Sequence, residues 1–273
     1  MGYFIGIDIG GSTTKIVGLK DGKISGCLKV KAGDQVTSAY GAFGKFLSEN
    51  GLGLSSVEEI MFTGVGATFI SDGMYNLPTK RVDEFRAIGY GGQYLSGIDR
   101  AIIVSMGTGT AFVHASGKTV RHLGGTGIGG GTLLGLSSKI FNIRDFDNIV
   151  ELASSGNLAN VDLTVGDISK DIISGMTMDT TASNFGKISD LATNADIALG
   201  ILNLVFQTIG MFAVFASRAD HINDIVLTGN LTTIEKAKEI FTNLEKLYGV
   251  HYIIPPNAEY ATAIGAAMCH DTL

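Results

Sequence analysis

One motif occurs twice in this chain, and it leaves few folds open. Tyr3–Ile9 is a β-rich run that ends in the loop Gly10-Gly11-Ser12-Thr13-Thr14. Lys15–Leu19 reads as a second strand, Asp21-Gly22 as a hairpin turn, and Lys23–Val30 as a third strand. From Asp99 the cycle starts again. Ala101–Met106 is a strand, Gly107-Thr108-Gly109-Thr110 a loop, Ala111–Ala115 a strand, Ser116-Gly117 a turn and Lys118–Leu123 a strand. Two halves on one plan follow from this. Between and after them, Ala39, Phe43, Phe46 and Leu47 recur at helical spacing, and Ile234–Tyr248 is amphipathic. Tyr260–Cys269 reads as a helix of small residues. Strands alternating with helices predict an α/β fold.

Glycine supplies 38 of the 273 residues, against an average near ~7%, and it gathers in these loops without a collagen period. Apolar residues at 45% and charged residues at 17% exclude a disordered chain. The net charge of −6, with no basic stretch, argues against a nucleic-acid partner. Cys27 and Cys269 have no metal-ligand spacing, which fits reduced thiols in the cytoplasm. The start is too short and too early charged for a signal peptide.

Ile197–Ser217 carries no formal charge and is long enough to span a bilayer. Asn203 and Gln207 share one helix face within it, and no basic cluster follows. The expectation is a buried helix of a soluble core or subunit interface, with no membrane partner. A homodimer in which Gly200 and Gly210 let backbones approach is expected.

A phosphate needs several backbone N–H groups aimed at one place. Glycine permits the close approach, and Ser or Thr adds hydroxyl donors. The Gly124–Thr132 run leads into an apolar helix at Leu133, whose N-terminus adds a favourable dipole. A Walker A loop fails, because Phe112 stands where its first glycine belongs. Gly125, Gly127 and Gly130 match a dinucleotide fingerprint, with Asp145 beyond, but the run follows hairpin strands and does not open a βαβ unit.

Phe4 to Lys15 resembles the first phosphate motif of the actin / hexokinase / Hsp70 superfamily, and Val104 to Thr110 resembles its second. Ile225 to Asn230 is similar to the adenosine motif, and Ala263 to Ala267 to the connecting helix. The order is right and the span covers nearly the whole chain. Within the superfamily the chain resembles type II pantothenate kinases, through Asp83-Glu84-Phe85, the Gly124–Thr132 loop and Thr181-Ala182-Ser183-Asn184-Phe185-Gly186.

The resemblance implies two actin-like (ribonuclease H-like) lobes with the nucleotide cleft between them. The N-terminal lobe is 1–97, the C-terminal lobe 98–259, and the helix 260–273 packs back on the first. It also implies a homodimer, ATP with Mg²⁺, and phosphorylation of pantothenate to 4'-phosphopantothenate in coenzyme A biosynthesis. Two rivals stand beside it: a kinase of another sugar or alcohol, and a non-enzymatic actin-like nucleotide switch.

Asp8, at a strand end, caps the following turn or holds Mg²⁺. Gly10, Gly11, Ser12, Thr13, Thr14 and Lys15 are expected at the phosphates. Thr108 and the backbone of Gly130, Gly131, Thr132, Leu133 and Leu134 are expected at phosphates or substrate, with Thr110 on the substrate side. Phe146 and Asn230 are placed at the adenosine, with a core role for Phe146 as the alternative. Glu84 is the candidate general base, with Asp83 as its rival. Arg121 is the candidate partner of the pantothenate carboxylate. The family pattern sets an arginine where His122 stands, and a one-residue shift in a strand reverses the face. So Arg121 binds the substrate, His122 serves instead, or the substrate differs. His114, His221, His251 and His270 show no ligand spacing and carry no expected role.

Overall fold

The computed structural model describes residues 2–70, 73–171 and 176–271. Residues 272–273 of the expected terminal helix lie outside the described residues, as do 1, 71–72 and 172–175 of the two expected lobes. The first half runs β1 (Tyr3–Ile9), β2 (Thr13–Lys20), β3 (Lys23–Lys31), α1 (Gln35–Glu49), β4 (Val57–Thr63), β5 (Thr79–Arg81) and α2 (Glu84–Ser96). The second opens with β6 (Arg100–Met106), β7 (Thr110–Ser116), β8 (Thr119–Thr126), α3 (Gly130–Phe141) and α4 (Phe146–Ser154). It continues through β9 (Leu163–Thr164), α5 (Val165–Ile168), β10 (Thr181–Ser183), α6 (Asn194–Asp220), β11 (Asp224–Thr228), α7 (Glu235–Tyr248), β12 (His251–Ile253) and α8 (Ala261–Met268).

The repeat read from the sequence is a repeat of topology. The first sheet has the order β3-β2-β1-β4-β5 and the second β8-β7-β6-β11-β12. In each, two antiparallel hairpin strands precede two parallel crossovers. The glycine loops at 10–12 and 107–109 therefore occupy the same place in their sheets.

Each sheet is buried on both faces, which is why its central strands are continuous apolar runs. α1 covers one face of the first sheet with Ala39, Phe43 and Phe46 on Ile5, Ile7 and Ile16. α8 covers the other with Ala263 and Ala267 beside Val17 and Met61. α2 covers the second sheet, with Ile88 on Ile103, Val113 and Val226. α6 and α7 close its far side with Leu202, Phe206 and Phe241 on Ile102, Val104 and Leu227. The layers run α1, sheet, α8 and α2, sheet, α6.

α2 and α8 cross at backbone contact. A Cβ at Gly265 would stand 1.8 Å from the Ala87 carbonyl oxygen, and one at Gly6 1.9 Å from that of Ala263. Small residues in the terminal helix are thus a packing requirement.

α6 is long and apolar enough to cross a membrane by length and composition, yet 67% of its most apolar window is buried inside the protein. Its Asn203 donates to Asp162 at 2.7 Å, and Asn203 and Gln207 both reach Thr181 Oγ1, at 3.3 and 3.2 Å. That polar stripe holds the Thr181–Gly186 segment. Gly200 faces Val161 and Phe185, and Gly210 faces Leu244 and Phe241. Both glycines are taken up by packing within the chain, and this corrects the expectation that they admit a partner's backbone.

Candidate active site between the two halves

Four side chains form one rung across the first sheet. Asp8 on β1 is the register partner of Lys15 on β2 and of Thr63 on β4, and Lys15 that of Lys29 on β3. Side chains alternate along strands, and Val17 and Met61 lie under α8. The rung is on that same face, at the end where the strands deliver their loops. Lys15 Nζ lies 3.8 Å from Asp8 Oδ2, and both groups are buried. Burial pushes the Asp8 carboxyl up, with Lys15 opposing it. Burial pushes the Lys15 ammonium down, with Asp8 opposing that.

Glu84 is the first residue of α2. Asp83 caps the helix by accepting the Arg86 N–H at 2.9 Å, which separates the roles of the two acids. The Glu84 carboxyl is raised, first by burial and then by the charges of Asp8 and Asp83, with Lys15 opposing. Glu84 thus lies within electrostatic reach of Asp8 and Lys15.

The two glycine loops meet across the cleft. Ser12 Oγ lies 3.3 Å from Thr108 Oγ1, and Asn230 Nδ2 donates to Thr13 Oγ1 at 3.3 Å. Lys31 and Asp145 add an ion pair at 3.3 Å across the same gap. Among the described residues, no hydrogen bond ends on the N–H groups of Gly11, Ser12, Thr108 or Gly109. Asn230 Oδ1 and Thr63 Oγ1 are buried without a partner. Paired loops with idle donors fit a phosphate chain. One buried carboxylate beside them fits Mg²⁺, which takes one or two carboxylates and completes its shell with phosphates and water. No cage of three or more His, Cys, Asp or Glu is present among the described residues.

Several expected contacts are elsewhere. The Thr14 hydroxyl is buried on the α1 face with Ile16, so only the Thr14 backbone borders the loop. Gly124 to Thr126 extend β8, and the loop proper is 127–129. The N–H groups of Gly130 and Gly131 donate to the carbonyls of Gly107 and Thr108 at 2.9 Å. Those of Thr132 and Leu133 donate to Gly129, and Leu133 is core. The start of α3 is thereby spent on bracing the second glycine loop, with the N–H groups of Gly130 to Leu133 all engaged within the protein. Thr132 Oγ1 bonds Gly127 and Gly129, and Thr110 Oγ1 donates to Ile128 O at 2.8 Å. Both threonines shape the loop. Phe146 begins α4 and packs against the core beneath the second sheet.

Arg121 and His122 lie on opposite faces of β8. Arg121 turns to Asp220 at the end of α6, at 2.8 and 2.9 Å, and His114 Nδ1 meets the same carboxylate at 2.6 Å. This corrects two expectations: Arg121 does not reach the cleft, and His114 is a structural partner. His122 stacks on Phe85, the residue after Glu84 in the chain, with ring centroids 3.7 Å apart. Thr63 and Asp220 were missed in the sequence, and His122 and Phe85 were named there without their stacking. Of the two, Thr63 left a signal there, as a polar residue ending an apolar strand before glycine.

The Fumble family matches residues 98–246, more than half of the chain. A type II pantothenate kinase of Bacillus cereus (strain AH820) is 30% identical over 238 residues, covering 83% of this chain and 82% of that protein. The chain belongs to the type II pantothenate kinase family. A second member, from Staphylococcus epidermidis (strain ATCC 12228), is 28% identical over 272 residues and covers 96% of this chain and 98% of its own.

Solved structures bear out the fold of this family member. Component A of the Acidaminococcus fermentans (R)-2-hydroxyglutaryl-CoA dehydratase aligns with a TM-score of 0.71 at 19% identity, over 98% of this chain and 97% of that one. A ROK family glucokinase from Streptomyces griseus aligns at 0.62 and 13%, over 98% of both chains. The fold class expected from the sequence, two actin-like halves, is the one observed.

Proposed function

We propose that this chain transfers the γ-phosphoryl group of ATP to the primary hydroxyl of pantothenate, giving 4'-phosphopantothenate, the first step of coenzyme A biosynthesis. The observation that carries this reading is Glu84, half-buried at the start of α2 and within electrostatic reach of the Asp8–Lys15 pair. Its carboxylate takes the hydroxyl proton as that oxygen bonds to phosphorus and the bond from phosphorus to the departing ADP breaks. Bound Mg²⁺ neutralises phosphate charge. Asp8 holds the cation, and the N–H groups of Gly11, Ser12, Thr108 and Gly109 orient the phosphates. Asn230 borders the adenosine, and His122 borders the far end of the substrate.

Three finer points belong to the same reading. The halves divide as 1–97 and 98–259, with α8 returned to the first sheet, and α2, which carries Glu84 and ends the first lobe, packs on the second sheet. The protein is a cytoplasmic homodimer. Phe212 and Phe215, 48% and 56% exposed on α6, whose other large apolar side chains are buried or half-buried, support a partner on that face. No nucleic acid or membrane takes part, which agrees with the acidic charge and with the burial of α6.

A second reading, a kinase of another small alcohol, draws on Arg121, which is engaged by Asp220. ADP release coupled to a panel of alcohols separates the two. Turnover with pantothenate and not with sugars is expected. Sugar turnover alone selects the second reading, and tight ATP binding without any turnover selects a nucleotide switch.

A further inference from the structure

The Thr63 hydroxyl is buried, 1% exposed, and bonded to nothing. A valine would have the same shape and an equal preference for a strand, without an unpaired polar group. The position of the side chain follows from the strand. Ile60 and Phe62 enter the α1 core and Met61 lies under α8, so Thr63 is on the α8 face. There it stands level with Asp8 on the neighbouring strand. Strands in a sheet are about 4.8 Å apart, so two adjacent strands present an alcohol and a carboxylate oxygen to one small volume. The next residue keeps that volume open. Gly64 has φ +87, and a Cβ on it would stand 2.7 Å from Asp8 Oδ1.

We propose that Thr63 is a positioning residue for the divalent cation, its hydroxyl accepting a hydrogen bond from a water coordinated to the metal beside Asp8. The inference rests on the reading of Asp8 as the cation carboxylate. Mg²⁺ keeps several of its waters, and those waters are strong donors that need fixed acceptors. Asp8 is one, the nucleotide phosphates are others, and Thr63 is the neutral one. Outer-sphere partners of this kind orient the metal and change its affinity without touching it.

The test uses Mn²⁺ as the probe, with ADP and the full-length protein, and counts bound metal by electron paramagnetic resonance. Thr63→Val lowers Mn²⁺ affinity by about 10-fold or more. Thr63→Ser keeps the hydroxyl and the affinity. In the absence of nucleotide, Thr63→Val melts at or above the wild-type temperature, because an unpaired buried hydroxyl has been removed. Wild-type affinity in Thr63→Val overturns the proposal. So does loss of affinity in both variants together with a fall in melting temperature, which marks a structural role. If the wild-type protein with ADP holds no Mn²⁺, the Asp8 reading fails and this proposal fails with it.

Discussion

Arg121 Nη2 reaches both carboxylate oxygens of Asp220, at 2.8 and 2.9 Å, and so ties β8 to the end of the longest helix. Burial raises the Asp220 carboxyl, but the bonds from His114 and Arg121 outweigh it and hold the group below its ordinary value. A carboxylate depressed in the folded state contributes stability above its unfolded pKa of about 3.9, and that stability is lost as pH falls through the lower folded value. Arg121→Ala is expected to leave the Michaelis constant for pantothenate within about 3-fold of wild type, since the side chain binds a partner on the far face. The Arg121 side chain is 57% exposed, so the stability cost is below about 1 kcal/mol. His122→Ala, by contrast, raises the Michaelis constant. Steady-state kinetics of both variants decide it: a large effect of Arg121→Ala alone would return that residue to the substrate.

Glu84 should set the acid limb of the pH–rate profile. Its carboxyl is raised by burial, Asp8 and Asp83. The base form is therefore lost at a pH above the ordinary glutamate range as the solution is acidified. Asp83→Asn keeps a capping side chain and removes one of the raising charges, so the limb moves to lower pH. A limb that stays fixed or moves up in Asp83→Asn contradicts the shared electrostatics.

Gly265→Ala should disturb both stability and catalysis. Its Cβ would meet the Ala87 carbonyl at 1.8 Å, so α2 must move off α8. Overpacking of this kind costs about 1–3 kcal/mol. Because Glu84 is on α2, turnover falls as well. Unchanged melting and unchanged turnover would mean that the crossing is looser than described.

The exposed face of α6 carries a groove lined by Asn184, Gln207, Thr208, Met211, Phe212 and Phe215. Phe212→Glu with Phe215→Glu should yield a monomer by light scattering, and the wild type is expected to be a dimer at micromolar concentration. A monomeric wild type refutes the dimer, and a dimer unaffected by both changes refutes the face.

How much of this was legible depends on range. The paired hairpins and their loops were readable because each apolar run ends in Gly and Thr, and turn chemistry is local. β8 runs further than its apolar stretch, through Gly124 and Gly125, because β7 supplies partners across a bulge at the Phe112–Val113 step. That extension cannot be seen in glycines alone. The alternation rule warned that Arg121 and His122 face opposite ways. Which partner each one takes could not be read locally: Arg121 bonds Asp220, 99 residues away, and His122 stacks on Phe85. The donors of α3 looked free because their acceptors, at Gly107 and Thr108, come from another loop.

The measurement closest to the central claim is formation of 4'-phosphopantothenate from ATP and pantothenate, followed by mass spectrometry for the wild type and Glu84→Gln side by side. The amide keeps the shape of the acid but cannot accept the proton. The wild type is expected to form the product, and Glu84→Gln to lose about 10²–10⁴-fold in turnover with ATP binding intact. A wild type that forms none, or a Glu84→Gln variant that keeps more than about a tenth of its rate, well short of that loss, would contradict the account.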